Sequence, residues 1–453
     1  MNQPNGLELH PEARRSFNES SEELLAEVRP MQQNRVEVGG FRPDVFISGH
    51  FGEADIVGDV KVAIVDGTGN EVGKLFREGR QQFGLVRDGF QRFKTLVAKI
   101  QGTPTFRDSV SYSCLLDVAF DWVTQNYLRK TTLTLCDHVV AECTKQLREL
   151  DIWIPVYQLY AEEDLRVGSC VFRTITAQMI DEWEQHFRST VKEEDGSQID
   201  EVFRTKRKQL QGTFAATLRV FAEPNRGYEL ALEQAEYAIG LLNFFHPAHG
   251  TLRTRSYATV LGQENIQTTT ALILENGQIR QRQRKLIDRG ASPWILDGSQ
   301  IQFLKQSGLD KVGALWEKEG KSDFDTSLLN ALQLYSKSSL GTLVTDRLVY
   351  LLAALESMLL RNTSEPVQKN IGERMAFIIK KTVDERKRVV QIVEEVYKLR
   401  SSFLHHGQRV NALDTIEEFM VCAWTSFLVL IQNSDKFATR DAMFDAIDNM
   451  KFA

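Results

Sequence analysis

Tyr397-Lys398-Leu399-Arg400-Ser401-Ser402-Phe403-Leu404-His405-His406-Gly407 closes an amphipathic run in the last third of the chain. Upstream, Val389, Ile392, Val393, Val396 and Tyr397 recur at three- and four-residue spacing, and Phe403 continues the series. That period belongs to a half-buried helix rather than a strand. Gly407 supplies the stop, since glycine takes the left-handed conformation that ends helices. An arginine and two histidines therefore gather at a helix end. Their chemistry suits phosphate: a guanidinium grips phosphate oxygens with a planar fork, and an imidazole moves a proton near neutral pH.

This helix is one of a series. From Asp323 onward the pattern predicts helices over 324–337, 345–360, 370–381, 384–404 and 413–430, with a last short one within 435–452. The second has a buried stripe of Leu348, Leu351, Leu352, Leu355 and Leu359, and the break from Asn362 to Pro366 ends it. Short connections favour an up-and-down bundle over 323–453.

Ahead of the bundle, residues 151–320 read as a β-rich, sensor-like regulatory domain. Strands are expected over 153–160, 165–172, 213–221, 256–261, 269–274 and 294–295, with a charged helical region over 177–211 interrupted at 193–197 and a helix over 229–245. The basic run Arg280, Arg282, Arg284, Lys285 reads as a solvated edge or loop, or as an RNA-facing patch. Residues 41–150 are mixed: strands to about residue 75, then mainly helix, with one long run over 113–148. The polar stretch 1–40 reads as a loose arm with a short helix from Ser21 to Val28. The expected class is α+β, a mixed N-terminal region and a β-rich middle followed by an all-α C-terminal bundle.

Composition narrows the function. A formal net charge of −6 over 453 residues argues against a general nucleic-acid coat but leaves room for a small basic site acting on RNA. No apolar run approaches the roughly 20 residues that span a bilayer, and the first residues have no apolar signal core. A cytoplasmic protein without a membrane partner is expected. The odd set of five cysteines has no C-x-x-C spacing and reads as buried free thiols in a reducing compartment.

Other chemistries fall away on spacing. Gly67, Gly69 and Gly73 are one residue too far apart for the dinucleotide fingerprint, and Leu75 stands where a phosphate loop needs Ser or Thr. A β-turn is the better reading. His246 and His249 straddle Pro247, which favours a turn over a metal-binding helix face, and His138 near Cys136 and Cys143 lacks further ligands. No cofactor is expected. Ser401 and Ser402 have no evident triad.

Three segments together resemble a known family. Leu352-Ala353-Ala354-Leu355-Glu356-Ser357-Met358-Leu359, then Gly372-Glu373-Arg374-Met375-Ala376, then Tyr397 through Gly407 are similar to the C-terminal HEPN domain of Apea-like proteins. The resemblance covers roughly 325–440. The motif of this class is Arg, four to six residues, then His. Four residues separate Arg400 from His405, and five separate it from His406. The family pattern ends His-Gly, whereas this chain reads His-His-Gly. Counting from Arg400 selects His405, and counting back from Gly407 selects His406.

The resemblance implies metal-independent cleavage of RNA, leaving a 2′,3′-cyclic phosphate and a 5′-hydroxyl, with Arg400, His405 and His406 as catalytic candidates. Ser401, Ser402 and Glu356 are the accompanying substrate-site candidates. Glu356 interrupts an apolar helix and needs a partner if buried, and Arg400 is the expected one. The class implies a homodimer whose motifs face one composite cleft. It also implies a role in prokaryotic anti-phage defence (abortive infection), with an unidentified trigger sensed by the N-terminal region. The alternative is a non-catalytic module that binds nucleotide or RNA, or a dimerising adaptor.

Overall fold

The computed structural model describes residues 6–31, 62–79, 81–190, 196–263, 268–275, 278–285, 293–406 and 412–452. The chain divides into two compact units, one of residues 1–150 with 219–230 and one of residues 151–218 with 231–453.

The first unit opens with helix α1 (Pro11–Leu25), whose proline sits in the first turn, where its missing N–H leaves no bond unmade. The helix begins at Pro11 rather than Ser21, because its polar residues have partners. The Asn18 side chain accepts from the Cys136 backbone at 3.0 Å, and Arg14 pairs with Asp137. The remainder of the expected arm, 1–5 and 32–40, lies outside the described residues, as do the strands expected within 41–61. Strands β1 (Arg29–Met31), β2 (Val62–Val65), β3 (Glu71–Glu78) and β4 (Gln81–Val86) form an antiparallel sheet ordered β1-β4-β3-β2. Between β2 and β3, Asp66 Oδ1 accepts from the backbone of Thr68 and of Asn70, each at 2.9 Å, and Gly69 takes φ +85°. The glycine-rich stretch is therefore a turn. Helices α2 (Arg87–Gln101), α3 (Pro104–Ser109), α4 (Tyr112–Tyr127) and α5 (Leu135–Thr144) complete this unit around buried Phe76, Phe90, Phe93 and Phe120. The single run expected over 113–148 is thus two helices. Arg129 turns the chain at φ +56°, and Thr134 caps α5 by accepting from Asp137.

The second unit is built on β5 (Arg148–Tyr157) from Asp151 onward, β6 (Leu159–Ala161), β7 (Leu165–Val167), β8 (Cys170–Thr174), β9 (Phe214–Ala222) up to Leu218, and β10 (Thr259–Val260). Five of these form a sheet ordered β10-β5-β9-β8-β7. Helices α6 (Ala177–Thr190) and α7 (Gly196–Leu210) lie in the chain between β8 and β9, and α8 (Pro224–Phe244) follows β9. Then come a two-stranded ribbon, β11 (Thr268–Glu275) with β12 (Gln278–Lys285), and β13 (Trp294–Leu296), which pairs in parallel with β6.

The strand-rich character expected up to residue 320 ends at Leu296, and helices α9 (Gly298–Ser307) and α10 (Leu309–Glu317) follow. Asp297 and Gln300 form a reciprocal capping box that starts α9, and Gly308 at φ +114° separates the two helices. The rest is helical as expected: α11 (Asp323–Leu340), α12 (Val344–Leu359), α13 (Val367–Ile379), α14 (Val383–His406), α15 (Leu413–Gln432) and α16 (Arg440–Phe452). Helix α11 packs on α12, α13 on α14 and α14 on α15, while α12 also touches α13, α14 and α15. One hydrophobic core runs from Ile154 to Ile447, so the β-rich middle stretch and the C-terminal helices share their interior. The composition is mixed α and β, with every described strand ahead of Asp297. Among the described residues no helix is long and apolar enough to cross a membrane.

Candidate functional site

Helix α14 is 24 residues long, and its start and seat are both local consequences of sequence. Thr382 and Glu385 cap it reciprocally. Glu385 N donates to Thr382 Oγ1 at 3.4 Å, and the Thr382 hydroxyl donates to Glu385 Oε2 at 2.7 Å. Val389, Ile392, Val393 and Val396 are buried along one stripe. Burying each such side chain contributes on the order of 1.5–3 kcal/mol, which holds the helix against the bundle. Tyr397 and Arg400 follow at the edge of that stripe, half-buried and one turn apart.

Opposite them, Glu356 sits on α12 among buried Ala354, Leu355, Met358 and Leu359. The Tyr397 hydroxyl donates to Glu356 Oε1 at 2.9 Å, and Arg400 Nη1 approaches the same oxygen at 3.4 Å. The expected Glu356–Arg400 pair is therefore present in the structure, but as one long contact. The two side chains remain 28% and 34% exposed. An ion pair of that length and exposure contributes under about 1 kcal/mol. Arg400 Nε is enclosed and has no hydrogen-bond partner among the described residues. Burial, and then the Glu356 charge, push the Tyr397 hydroxyl far above the ordinary phenol range, so it remains a proton donor throughout the physiological range. Sequence reading counted Tyr397 only as an apolar stripe residue. Its position three residues before Arg400, one helical turn away, was the available signal.

Ser401 is exposed and Ser402 half-buried beside Arg400. Helix α14 continues through His405 and His406 instead of ending at Leu404. Gly407, and the side chains of both histidines, lie outside the described residues. The backbone alone carries information here. At 3.6 residues per turn, five positions rotate about 140° around the axis from Arg400 and six rotate about 240°. Neither histidine position lies directly above the arginine on its own helix.

The other arginine of the resembling segments behaves differently. Arg374 forks onto Glu365 with contacts of 2.7 and 2.9 Å and also donates to the Leu359 carbonyl at 2.5 Å. Its side chain is 6% exposed and that of Glu365 is 15% exposed. The arginine holds the Glu365 carboxyl down at about 2. This pair fastens the link between α12 and α13.

His246 and His249 are likewise absorbed by the fold. Pro247–Gly250 is a 3-10 turn in which His246 Nδ1 accepts from Ala248 N at 3.0 Å. Burial, and then the neighbouring His249 and Arg347, lower the His246 imidazole to about 4. His249 stacks on Trp424 with ring centroids 3.7 Å apart. Buried Arg347 donates to the carbonyls of Ala248, Thr251 and Thr254 at 2.6, 3.0 and 3.0 Å, which ties the following loop down. Among the described residues no group of three or more His, Cys, Asp or Glu side chains is arranged to hold a metal ion. The five cysteines are buried and free. No protein-family model matches the chain, and neither a curated protein nor a solved structure matches it.

Proposed function

We propose that the C-terminal helices form a HEPN-type, metal-independent RNA endonuclease that works as a homodimer. The observation that carries the reading is the Glu356–Tyr397–Arg400 cluster at the end of α14, with His405 and His406 in the last turn of the same helix. In the proposed reaction the ribose 2′-hydroxyl attacks the adjacent phosphorus, and the 5′-oxygen of the next nucleotide leaves with the proton it needs. One histidine takes the proton from the 2′-hydroxyl and another hands a proton to the leaving 5′-oxygen, and Arg400 faces the charge developing on the phosphoryl oxygens. The 2′-hydroxyl requirement confines the reaction to RNA. The rotation between Arg400 and the histidine positions favours a second bundle, because a twofold partner brings its own arginine and histidines to the same cleft. Anti-phage defence, with the N-terminal region sensing an unidentified trigger, is the biological role that goes with this reading and rests on family resemblance.

Inducible expression of wild type and Arg400→Ala, followed by mapping of RNA ends, tests it. Wild type is expected to arrest growth and leave 2′,3′-cyclic phosphate ends, and the variant to do neither. Ends without cyclic phosphate contradict the mechanism. Undiminished cleavage by both Arg400→Ala and a His405→Ala/His406→Ala double variant removes the nuclease reading. The alternative, a non-catalytic nucleotide- or RNA-binding or dimerising adaptor, draws on the Glu356 contact, which gives Arg400 a structural partner. RNA bound but never cut by wild type would favour it.

A further inference from the structure

We propose that a cavity between α10, the start of α11 and the turn after α15 binds a small organic phosphate ester. Lysine ammoniums hold the phosphate, and the carbon body lies on an apolar floor. This site is independent of the nuclease reading.

The cavity has a volume of about 710 Å³, within the range of small-molecule sites. All of its lining belongs to the second unit. One wall is a stripe of α10: Lys311, Ala314, Leu315 and Lys318 recur at the spacing of a single helix face. At about 1.5 Å per residue, the two lysines stand about 10 Å apart along the axis. Ala314, small and exposed, leaves the space between them open. Phe437 and Ala438 add apolar surface from the connection between α15 and α16. Phe324 of α11 packs against Phe437, with ring centroids 5.4 Å apart.

Three lysines and two aspartates line the cavity, and their contacts are unequal. Asp325 is 2% exposed and already accepts from Lys318 Nζ at 2.6 Å and from Ser322 N at 3.1 Å. It is committed to the capping box that starts α11. Asp435 pairs with Lys311, but its side chain is 69% exposed, and such a pair is readily exchanged. Lys311 also donates to the Gln432 carbonyl at 2.8 Å, which keeps its ammonium at the cavity when Asp435 turns away. Lys436, in the 3-10 turn Ser434–Lys436, makes no side-chain hydrogen bond or ion pair among the described residues. The Asp435 carboxyl is held below its ordinary range first by the Lys311 hydrogen bond and also by the Lys436 charge, so the two ammoniums are neighbours. They share one exposed carboxylate. A phosphate monoester carries nearly two negative charges at neutral pH, which matches that pair better than a monocarboxylate does. Ser434 lines the same cavity, is 2% exposed, and has a hydroxyl without a partner among the described residues. A buried donor without an acceptor is costly, and a phosphate oxygen at this wall supplies one. A bare phosphate would leave the floor of Ala314, Leu315 and Phe437 wet, so the ligand has a carbon body.

The test titrates phenyl phosphate into the full chain by isothermal calorimetry, with inorganic phosphate and benzoate as comparison probes. One site per chain is expected. Phenyl phosphate should bind on the order of 10-fold tighter than inorganic phosphate, because its ring is removed from water. It should also bind more tightly than benzoate, because it carries the second charge. Lys436→Gln should weaken phenyl phosphate about 10-fold without lowering the melting temperature, since the side chain has no partner to lose. Lys436→Arg, which keeps the charge, should retain binding. Ala314→Leu, which fills the floor from an exposed helix position, should bring phenyl phosphate down to the affinity of inorganic phosphate. No heat of binding at about 10 mM phenyl phosphate overturns the proposal. So do equal affinities in the parent, Lys436→Gln and Ala314→Leu, which would put the probe elsewhere. Benzoate or inorganic phosphate binding as tightly as phenyl phosphate overturns it as well. Equal loss in Lys436→Gln and Lys436→Arg together with a lowered melting temperature also overturns it, because the effect is then one of folding.

Discussion

Replacing Arg374 and Arg400 by alanine, one at a time, separates an arginine that holds the fold from one available for chemistry. Arg374 makes two contacts of 2.9 Å or less to Glu365 and a third to the Leu359 carbonyl, with 6% and 15% of the paired side chains exposed. Its removal leaves a largely enclosed carboxylate without its charged partner, though the Arg361 backbone N–H still donates to it at 2.9 Å, a loss of about 3–5 kcal/mol. Arg400 makes one contact of 3.4 Å between side chains 34% and 28% exposed. Its removal is expected to cost under about 1 kcal/mol. At roughly 1.6 °C per kcal/mol for a unit of about 290 residues, Arg374→Ala should melt about 5–8 °C below wild type, and Arg400→Ala within about 2 °C of it. Tryptophan fluorescence is a suitable probe, because Trp153, Trp183, Trp294, Trp316 and Trp424 all belong to the second unit. RNA cleavage is then measured well below both transitions, where Arg374→Ala should cut and Arg400→Ala should not. An Arg400→Ala variant that melts as low as Arg374→Ala would refute the reasoning, since the Glu356 contact would then be structural.

Acidification should destabilise the second unit in two steps. His246 is held at about 4 against an ordinary 6.5, so the stabilisation it provides is present above pH 6.5 and lost as pH falls toward 4. Glu365 is held at about 2 against 4.5, so its contribution is present above pH 4.5 and lost toward pH 2. Melting temperature against pH should lose the lower step in Glu365→Gln. Tyr397→Phe removes one donor to a carboxylate, so a stability loss of about 1 kcal/mol is expected in denaturant titrations, together with slower cleavage at unchanged RNA affinity. Of His405→Ala and His406→Ala, initial rates should show one losing about 100-fold or more and the other little. Co-expression of Arg400→Ala with His405→Ala/His406→Ala should restore part of the cleavage if the cleft is shared between two copies, and none if each bundle acts alone.

The helices of the C-terminal part were legible because their stripes are local. Leu348 through Leu359, and Val389 through Val396, repeat at the helical period, and a lone Glu356 in such a stripe signals a partner. Where the structure departs from the sequence reading, the missing information is mostly non-local. Arg347 reaches carbonyls 93, 96 and 99 residues away, and His249 finds its stacking partner in α15. No spacing rule announces either contact. The start of α1 was hidden by polar residues whose partners lie in α5. The 113–148 run looked continuous because its break depends on one residue, Arg129, taking a left-handed conformation that arginine seldom adopts. The α9 start was different: Asp297 and Gln300 carry a capping signal that was open to reading.

The two glutamate–arginine pairs of the bundle also say why Arg400, rather than Arg374, is suited to meet a phosphate. A substrate phosphate must draw the guanidinium away from its carboxylate. For Arg374 that would break a fork and a carbonyl bond and take from the largely enclosed Glu365 its charged partner, leaving it the Arg361 backbone N–H at 2.9 Å, so the exchange costs several kcal/mol. For Arg400 the contact given up is single, long and solvent-screened, and a bidentate bond to phosphate exceeds it. Glu356 is not stranded by the exchange, because Tyr397 still donates to its Oε1 at 2.9 Å and water reaches the carboxylate. Tyr397, held protonated by burial, thus keeps Glu356 in place whether or not the arginine is engaged. In the proposed reaction a carboxylate that stays behind would also disfavour phosphate drifting onto α12, and so would direct it toward the end of α14, where the histidine positions lie.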